Sequence, residues 1–328
     1  MPSTRILVTG AGGFIGARLV RWLVRCGRDT RAAVRQKSSA DNTNVEVVSV
    51  GTIDRATDWT RALHGIDVVV HLAGRAHVLD ERSAAALEMF REVNVAGTMR
   101  LAAQAAERVR RLVFVSSIGV NGSKTTDQPF SESSPPAPVE NYAKSKYEAE
   151  QELRALSEQT GLELVIVRPP LVYGPGCPGN FLRLIRLVDS GLPLPIASIR
   201  NSRSLIFVEN LASALLACVD HPLARGRTYL VDDGEIISTP KLARTLGNLL
   251  GKQVRLIQCP LPILRSLASM GGRTDAVDKL CGSLIVDGAA IRRDLGWKPH
   301  RSMQDGLAET VRWYRDTVDR QLNGASPC

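Results

Sequence analysis

The 328-residue chain, 44% hydrophobic and 23% charged, has room for one large or two unequal domains and the make-up of a globular protein, which excludes a disordered or fibrous one. Its net charge of +9 is spread along the chain with only 5% aromatics, so no basic stripe interleaved with rings points to nucleic acid. No apolar run approaches the roughly 18 residues that span a bilayer and no leader pattern precedes the first strand, so a soluble, cytoplasmic protein without membrane insertion is expected.

The basic excess reads first as solvated helix faces, and secondarily as steering of polyanionic small molecules. Six cysteines lack any C-x-x-C pair and read as reduced thiols. Residues 6–8 form the first β-branched run, and a glycine turn at 10–16 leads into a helix to about residue 26, with Ile15, Leu19, Leu23 and Cys26 at helical spacing. Further strands are expected at 30–34, 45–50, 67–72, 112–115 and 164–167, with helices at 83–108 and 141–159 between them. Such alternation predicts an α/β fold: a Rossmann-type doubly wound parallel sheet, with ligands beyond the carboxyl ends of its strands. After Arg168, prolines and glycines break the chain into shorter elements, including a helix capped by Thr239 with Pro240 at its first position. The expected division is a cofactor domain over 1–170, rejoined near 204–220, and a smaller C-terminal α/β substrate-binding lobe over 171–328.

Thr9-Gly10-Ala11-Gly12-Gly13-Phe14-Ile15-Gly16 lies between the first strand and first helix. Gly10, Gly13 and Gly16 permit a sharp turn, close approach to a pyrophosphate, and tight packing of helix on sheet, while the helix N-terminus offers donors to the phosphates. Dinucleotide binding follows, with Phe14 and Ile15 on the turn. The second strand ends in Val34-Arg35 where NAD binders carry an acid for the ribose 2′-hydroxyl. Arg35 suits a 2′-phosphate instead, which tilts NAD(P) toward NADP; a solvated loop arginine is the alternative.

Tyr142 and Lys146, four residues apart, share a helix face. A phenol of ordinary pKa near 10 needs help to act as a base, and a neighbouring ammonium favours its anion. Tyr142 could then exchange a proton with a hydroxyl as hydride moves. Ser116-Ser117 closes the preceding strand at the sheet edge, where Ser117 could hydrogen-bond the same oxygen. The histidines (His64, His71, His77, His221 and His300) make no metal-ligand motif, and His71 reads as structural.

In this order, the glycine turn, His71-Leu72-Ala73-Gly74, Asn94-Val95-Ala96-Gly97-Thr98, Ser116-Ser117, Tyr142…Lys146 and Arg168-Pro169-Pro170-Leu171-Val172-Tyr173-Gly174-Pro175 resemble the extended short-chain dehydrogenase/reductase family over nearly the whole chain. The resemblance implies cofactor contacts at Ile53, Leu72, Ala73, Gly74, Asn94, Ser116 and Pro169, and a homodimer. Residues 115–122 and 180–184 look like the bacterial branch of nucleotide-sugar epimerases and 4-ketoreductases. There Arg203 would hold a UDP pyrophosphate, as a guanidinium fork suits phosphate, and Asn180 would be a second phosphate contact.

Departures are also visible. Thr52 stands where an acid is frequent, leaving the adenine to Ile53 backbone or Asp54, and Leu171 replaces a frequent asparagine. Ile118-Gly119 follows the active-site serines where related 4,6-dehydratases carry an Asp-Glu pair, which argues against elimination of water. The expected reaction is oxidation or reduction at C4 of a UDP-sugar, first as a 4-ketoreductase of a UDP-4-keto-6-deoxy-N-acetylhexosamine in polysaccharide precursor synthesis. A UDP-hexose 4-epimerase is the alternative, and a non-catalytic NADP-binding regulatory or assembly protein is the alternative of another class.

Overall fold

The computed structural model describes residues 4–36, 45–76, 83–270 and 274–322, so His77 and Cys328 lie outside the described residues. Among the described residues the strands are β1 (Ile6–Thr9), β2 (Thr30–Val34), β3 (Glu46–Ser49), β4 (Val68–His71), β5 (Arg111–Val115), β6 (Glu163–Arg168), β7 (Leu171–Tyr173), β8 (Arg203–Phe207), β9 (Thr228–Leu230) and β10 (Ile236–Ile237). Between them run α1 (Phe14–Arg25), α2 (Thr60–Leu63), α3 (Ala84–Arg91), α4 (Gly97–Ala106), α5 (Asn141–Thr160), α6 (Gly179–Asp189) and α7 (Val208–Asp220). Then follow α8 (Thr239–Leu250), α9 (Leu261–Met270), α10 (Thr274–Cys281), α11 (Ala289–Leu295) and α12 (Met303–Leu322).

Seven strands form one parallel sheet in the order β3-β2-β1-β4-β5-β6-β9. Its inner strands are mostly apolar because both faces are covered, with polar residues mainly at strand ends, and successive residues divide between the two faces. Ile6, Val8, Val68, Val70, Val113 and Val115 pack under α1 and α7, whereas Leu7, Val69, Leu112 and Phe114 face α4 and α5. Chain order reverses between β1 and β4, which opens a crevice at their carboxyl ends. β7, β8 and β10 make a second, three-stranded sheet, packed with α6, α8 and α12 around Tyr173, Phe181, Phe207 and Leu246. β8 pairs in this smaller sheet, but α7 directly after it lies on the main one, and β9 adds the seventh strand.

Three local expectations need correction. The helix expected over 83–108 is interrupted by a π-turn at Glu92–Ala96 between α3 and α4. α8 is capped by Ser238, whose side chain accepts from Lys241 N–H at 3.3 Å, so Thr239 and Pro240 occupy the first helical turn. Some of the basic excess is internal rather than solvated. Buried Arg111 donates from Nη1 to the carbonyls of Cys218, Val219 and His221 at 2.8–2.9 Å, closing the C-terminus of α7, and Arg31 does the same at Ala62 and His64. Among the described residues no helix is long and apolar enough to cross a membrane, and no cluster of ligating side chains could hold a metal ion.

Candidate active site

The glycine turn is built to a tolerance that only glycine meets. Gly10 has φ +66°, and a Cβ there would stand 2.8 Å from Ala73 N; a Cβ on Gly16 would stand 2.1 Å from Gly10 O. At Gly12 the nearest atom would be Val34 Cγ1 at 3.9 Å, so that edge of the turn is open toward the end of β2. Arg35 follows there, exposed. Phe14 turns toward the smaller lobe, its ring edge against the Gly176 position, and Ile15 packs between the two cores.

The β4 end is organised by Thr9. Its hydroxyl oxygen accepts from the N–H groups of Leu72 and Ala73, both at 3.2 Å, so its proton goes to His71 Nδ1 at 2.7 Å. His71 Nε2 therefore carries the ring proton and donates to Thr98 Oγ1 at 3.0 Å. Burial, helped by the Lys146 charge, pushes this imidazole's pKa down to about 3, so it is a neutral strut. Asn94, fully buried in the π-turn, accepts from Arg75 N–H at 2.8 Å and donates to Arg75 O and Ser145 Oγ, both at 3.0 Å. Its amide hydrogens are thus spent on the Gly74–Arg75 loop and on α5. Ile53 packs on Gly97, and Asp54 spends its carboxylate on Ala56 N–H and the Thr57 hydroxyl.

Ser116 Oγ is buried with no hydrogen-bond partner, an orphaned polar atom beside the sheet edge. Lys146 Nζ donates to Val115 O at 2.9 Å and lies 4.5 Å above the Phe114 ring, leaving two donors toward the crevice where Gly74 passes. The open turn, the orphaned hydroxyl and the buried ammonium fit a nicotinamide dinucleotide.

Ser117, Tyr142, Pro169, Asn180 and Arg203 line one cavity of about 460 Å³ between the two lobes. Ser117 Oγ accepts from Gly119 N–H at 3.1 Å, so its own proton stays available. Tyr142 stands edge-on to Phe90 at 6.0 Å, and burial pushes its phenol up to about 12. Here the expectation from sequence is corrected: the ammonium is engaged at the β5 end, and desolvation alone governs the phenol. Asn180 is exposed in the first turn of α6. Arg203 donates from Nη1 to the carbonyls of Lys279 at 2.5 Å and Gly282 at 3.0 Å, and burial lowers its pKa.

The cavity adds residues that the sequence reading missed. Glu140, at the N-cap position of α5 but with no capping bond from its side chain, pairs with Lys279 of α10 at 3.0 Å, joining the two lobes at the cavity wall. Neither sits in a recognisable motif, and only the fold brings them together. Ile118, Gly119, Val139 and Leu171 give the wall an apolar stretch near Ser117 and Tyr142.

The family model for the NAD dependent epimerase/dehydratase family matches residues 6–231. A UDP-glucose 4-epimerase of Vibrio cholerae is 40% identical over 324 residues, covering 98% of each chain. The solved structure of a dTDP-glucose 4,6-dehydratase from Streptomyces venezuelae with NAD is 28% identical, with a TM-score of 0.76 over 97% of this chain and 98% of that one. A UDP-glucose 4-epimerase from Thermotoga maritima shares the fold at 23% identity, with a TM-score of 0.77 over 96% of this chain and 100% of that one. The chain belongs to the NAD-dependent epimerase/dehydratase family of nicotinamide-dependent Rossmann-fold enzymes.

Proposed function

We propose that the protein is an oxidoreductase acting at C4 of a UDP-sugar, as a 4-ketoreductase of a UDP-4-keto-6-deoxy-N-acetylhexosamine. The observation that carries this reading is the shared cavity, which Ser117, Tyr142, Asn180 and Arg203 all line. Among the described residues Arg203 has carbonyl partners but no carboxylate, so a half-buried guanidinium is left to attract phosphate oxygens. Tyr142, protonated at neutral pH, is ready to give its proton to the C4 oxygen of a keto sugar, while Ser117 donates a hydrogen bond to that oxygen. A bound reduced nicotinamide supplies the hydride. The apolar stretch of Ile118, Val139 and Leu171 suits a methyl or acetamido group better than a hydroxymethyl. Its Ile118-Gly119 segment holds no proton-transfer group for the elimination that dehydratases perform.

The test is incubation of the purified protein with UDP-4-keto-6-deoxy-GlcNAc and NADPH or NADH, following absorbance at 340 nm. Stoichiometric loss of reduced cofactor is expected, with NADPH preferred through Arg35 and the preference lost in Arg35→Ala. The 40% identity to a UDP-glucose 4-epimerase favours a second reading, in which the same groups oxidise C4 and return the hydride. No consumption, with tightly held NAD released on denaturation, would decide for that one.

A further inference from the structure

Three charged side chains line the cavity between the lobes: Arg203, Lys279 and Glu140. The two cations meet through the backbone, since Arg203 Nη1 donates to the Lys279 carbonyl at 2.5 Å and to that of Gly282 at 3.0 Å. Among the described residues Nε and Nη2 of Arg203 take no partner, so one edge of the guanidinium is left for a ligand. Lys279 Nζ is occupied instead, 3.0 Å from Glu140 Oε1 at the start of α5. Glu140 spends no side-chain bond on capping that helix, and among the described residues Lys279 is its one ion-pair partner.

This pair is made to be exchanged. Its side chains are 46% and 44% exposed, so water competes for both charges and the bond is weak. The lysine is a point charge on a flexible four-carbon stem, free to pivot about its backbone. That backbone does not depend on the pair. Asp278 ties α10 to Arg265 of α9 at 2.9 Å, and Asn201 Nδ2 holds the carbonyls of Leu280 and Gly282 at 3.0 and 3.2 Å. The ammonium can therefore leave Glu140 while the helix stays in place. A diphosphate on the free edge of Arg203 would lie beside the Lys279 backbone, and it offers more charge and more acceptor oxygens than one carboxylate.

We propose that Lys279 is a second, exchangeable cation for the diphosphate, and that Glu140 is its built-in competitor: the carboxylate holds the ammonium until the diphosphate enters, and so limits affinity. The exchange rests on the nucleotide-sugar reading of the cavity, so its test probes the full chain by calorimetry with UDP, uridine and inorganic pyrophosphate. UDP should bind Glu140→Gln about fivefold more tightly than wild type, the worth of a half-exposed ion pair. It should bind Lys279→Met about tenfold or more weakly, the loss of a charge-assisted hydrogen bond. A contact that merely braced the two lobes would give the opposite sign for Glu140→Gln, because a loosened cavity holds its ligand less well. UDP bound by Glu140→Gln no more tightly than by wild type therefore overturns the proposal, as does wild-type affinity in Lys279→Met. Uridine, which has no diphosphate, should bind all three proteins alike. Shifts of the same size with uridine would mean that the shape of the cavity has changed, and would overturn the exchange. Pyrophosphate separates this inference from the reading beneath it. If UDP fails to bind but pyrophosphate binds Glu140→Gln more tightly and Lys279→Met more weakly, the exchange stands and the uridine nucleotide falls. A wild type that binds neither UDP nor pyrophosphate overturns the exchange.

Discussion

Asn94 clamps Arg75 from both sides, its Oδ1 accepting from the Arg75 N–H at 2.8 Å and its Nδ2 donating to the Arg75 carbonyl at 3.0 Å. The second Nδ2 hydrogen goes to Ser145 Oγ, which donates to the Tyr142 carbonyl at 2.8 Å. One buried amide thus sets the loop after β4 against the first turn of α5. Asn94→Asp keeps the acceptor but loses both donations and sets a carboxylate against a carbonyl. The expected cost is roughly 3 kcal/mol of stability, read by urea denaturation. NADH titrated by fluorescence should bind more weakly, because Gly74 shifts with Arg75.

Tyr142→Phe removes the phenol that, in the proposed reaction, gives its proton to the C4 oxygen. Turnover should fall by about 10²–10⁴-fold, the range for losing a general acid. Cofactor affinity should be unchanged. Nucleotide-sugar turnover at the wild-type rate would instead revive a non-catalytic, cofactor-binding role.

The sheet was legible because both its faces are apolar: runs such as Val68-Val69-Val70 admit no other reading once a helix follows each. β9, three residues long, carries too short a pattern to be seen in advance. The π-turn escaped for a different reason. Its extra residue leaves no mark in Glu92–Ala96, and it is seen only in the structure, where Asn94 within it bonds two elements at once. Ser117, Tyr142, Asn180 and Arg203, singled out from sequence, line one cavity, whereas the Glu140–Lys279 contact joins segments 139 residues apart (279 − 140) and has no local signature. The aim of Lys146 was equally hidden, since helical spacing gives a shared face but not which carbonyl the ammonium takes.

Arg203 holds the end of α10 by two carbonyls while lining the cavity, so in the proposed reading it would serve fold and ligand together. Arg203→Lys keeps the charge but loses the fork. The KM for the nucleotide sugar should rise about 10–100-fold, matching one or two charge-assisted hydrogen bonds, with kcat nearly unchanged. A fall in kcat at constant KM would count against a phosphate-side role.

The buried imidazole of His71 makes stability fall in mild acid. Burial first, then the Lys146 charge, holds its folded pKa near 3, below the 6.5 of the unfolded chain. Between those values the unfolded chain binds a proton that the folded one refuses. The contribution is therefore complete above about pH 6.5 and is lost at up to about 1.4 kcal/mol per pH unit below it. Urea unfolding at pH 7.5 and 5 should cost the wild type roughly 2 kcal/mol more than His71→Gln, which has no such proton to refuse. Equal losses in the two proteins would mean that the imidazole is charged, or reachable by water, at the end of β4.

The glycine turn offers a paired test, because its positions differ in the space behind them. A Cβ at Gly16 would overlap Gly10 O at 2.1 Å, backbone against backbone, whereas at Gly12 it would meet only Val34 Cγ1 at 3.9 Å. Gly16→Ala must push α1 off the sheet, so a loss of several kcal/mol, on the order of an overpacked core, and loss of cofactor binding are expected. Gly12→Ala should fold with wild-type stability. Its methyl enters only space that the dinucleotide would cross, so any weakening should appear in the NADH titration and not in the melting curve. If Gly12→Ala lowers the melting temperature as far as Gly16→Ala does, the turn is packed more tightly than this structure has it. If neither variant weakens NADH, the cofactor does not run over the turn at all.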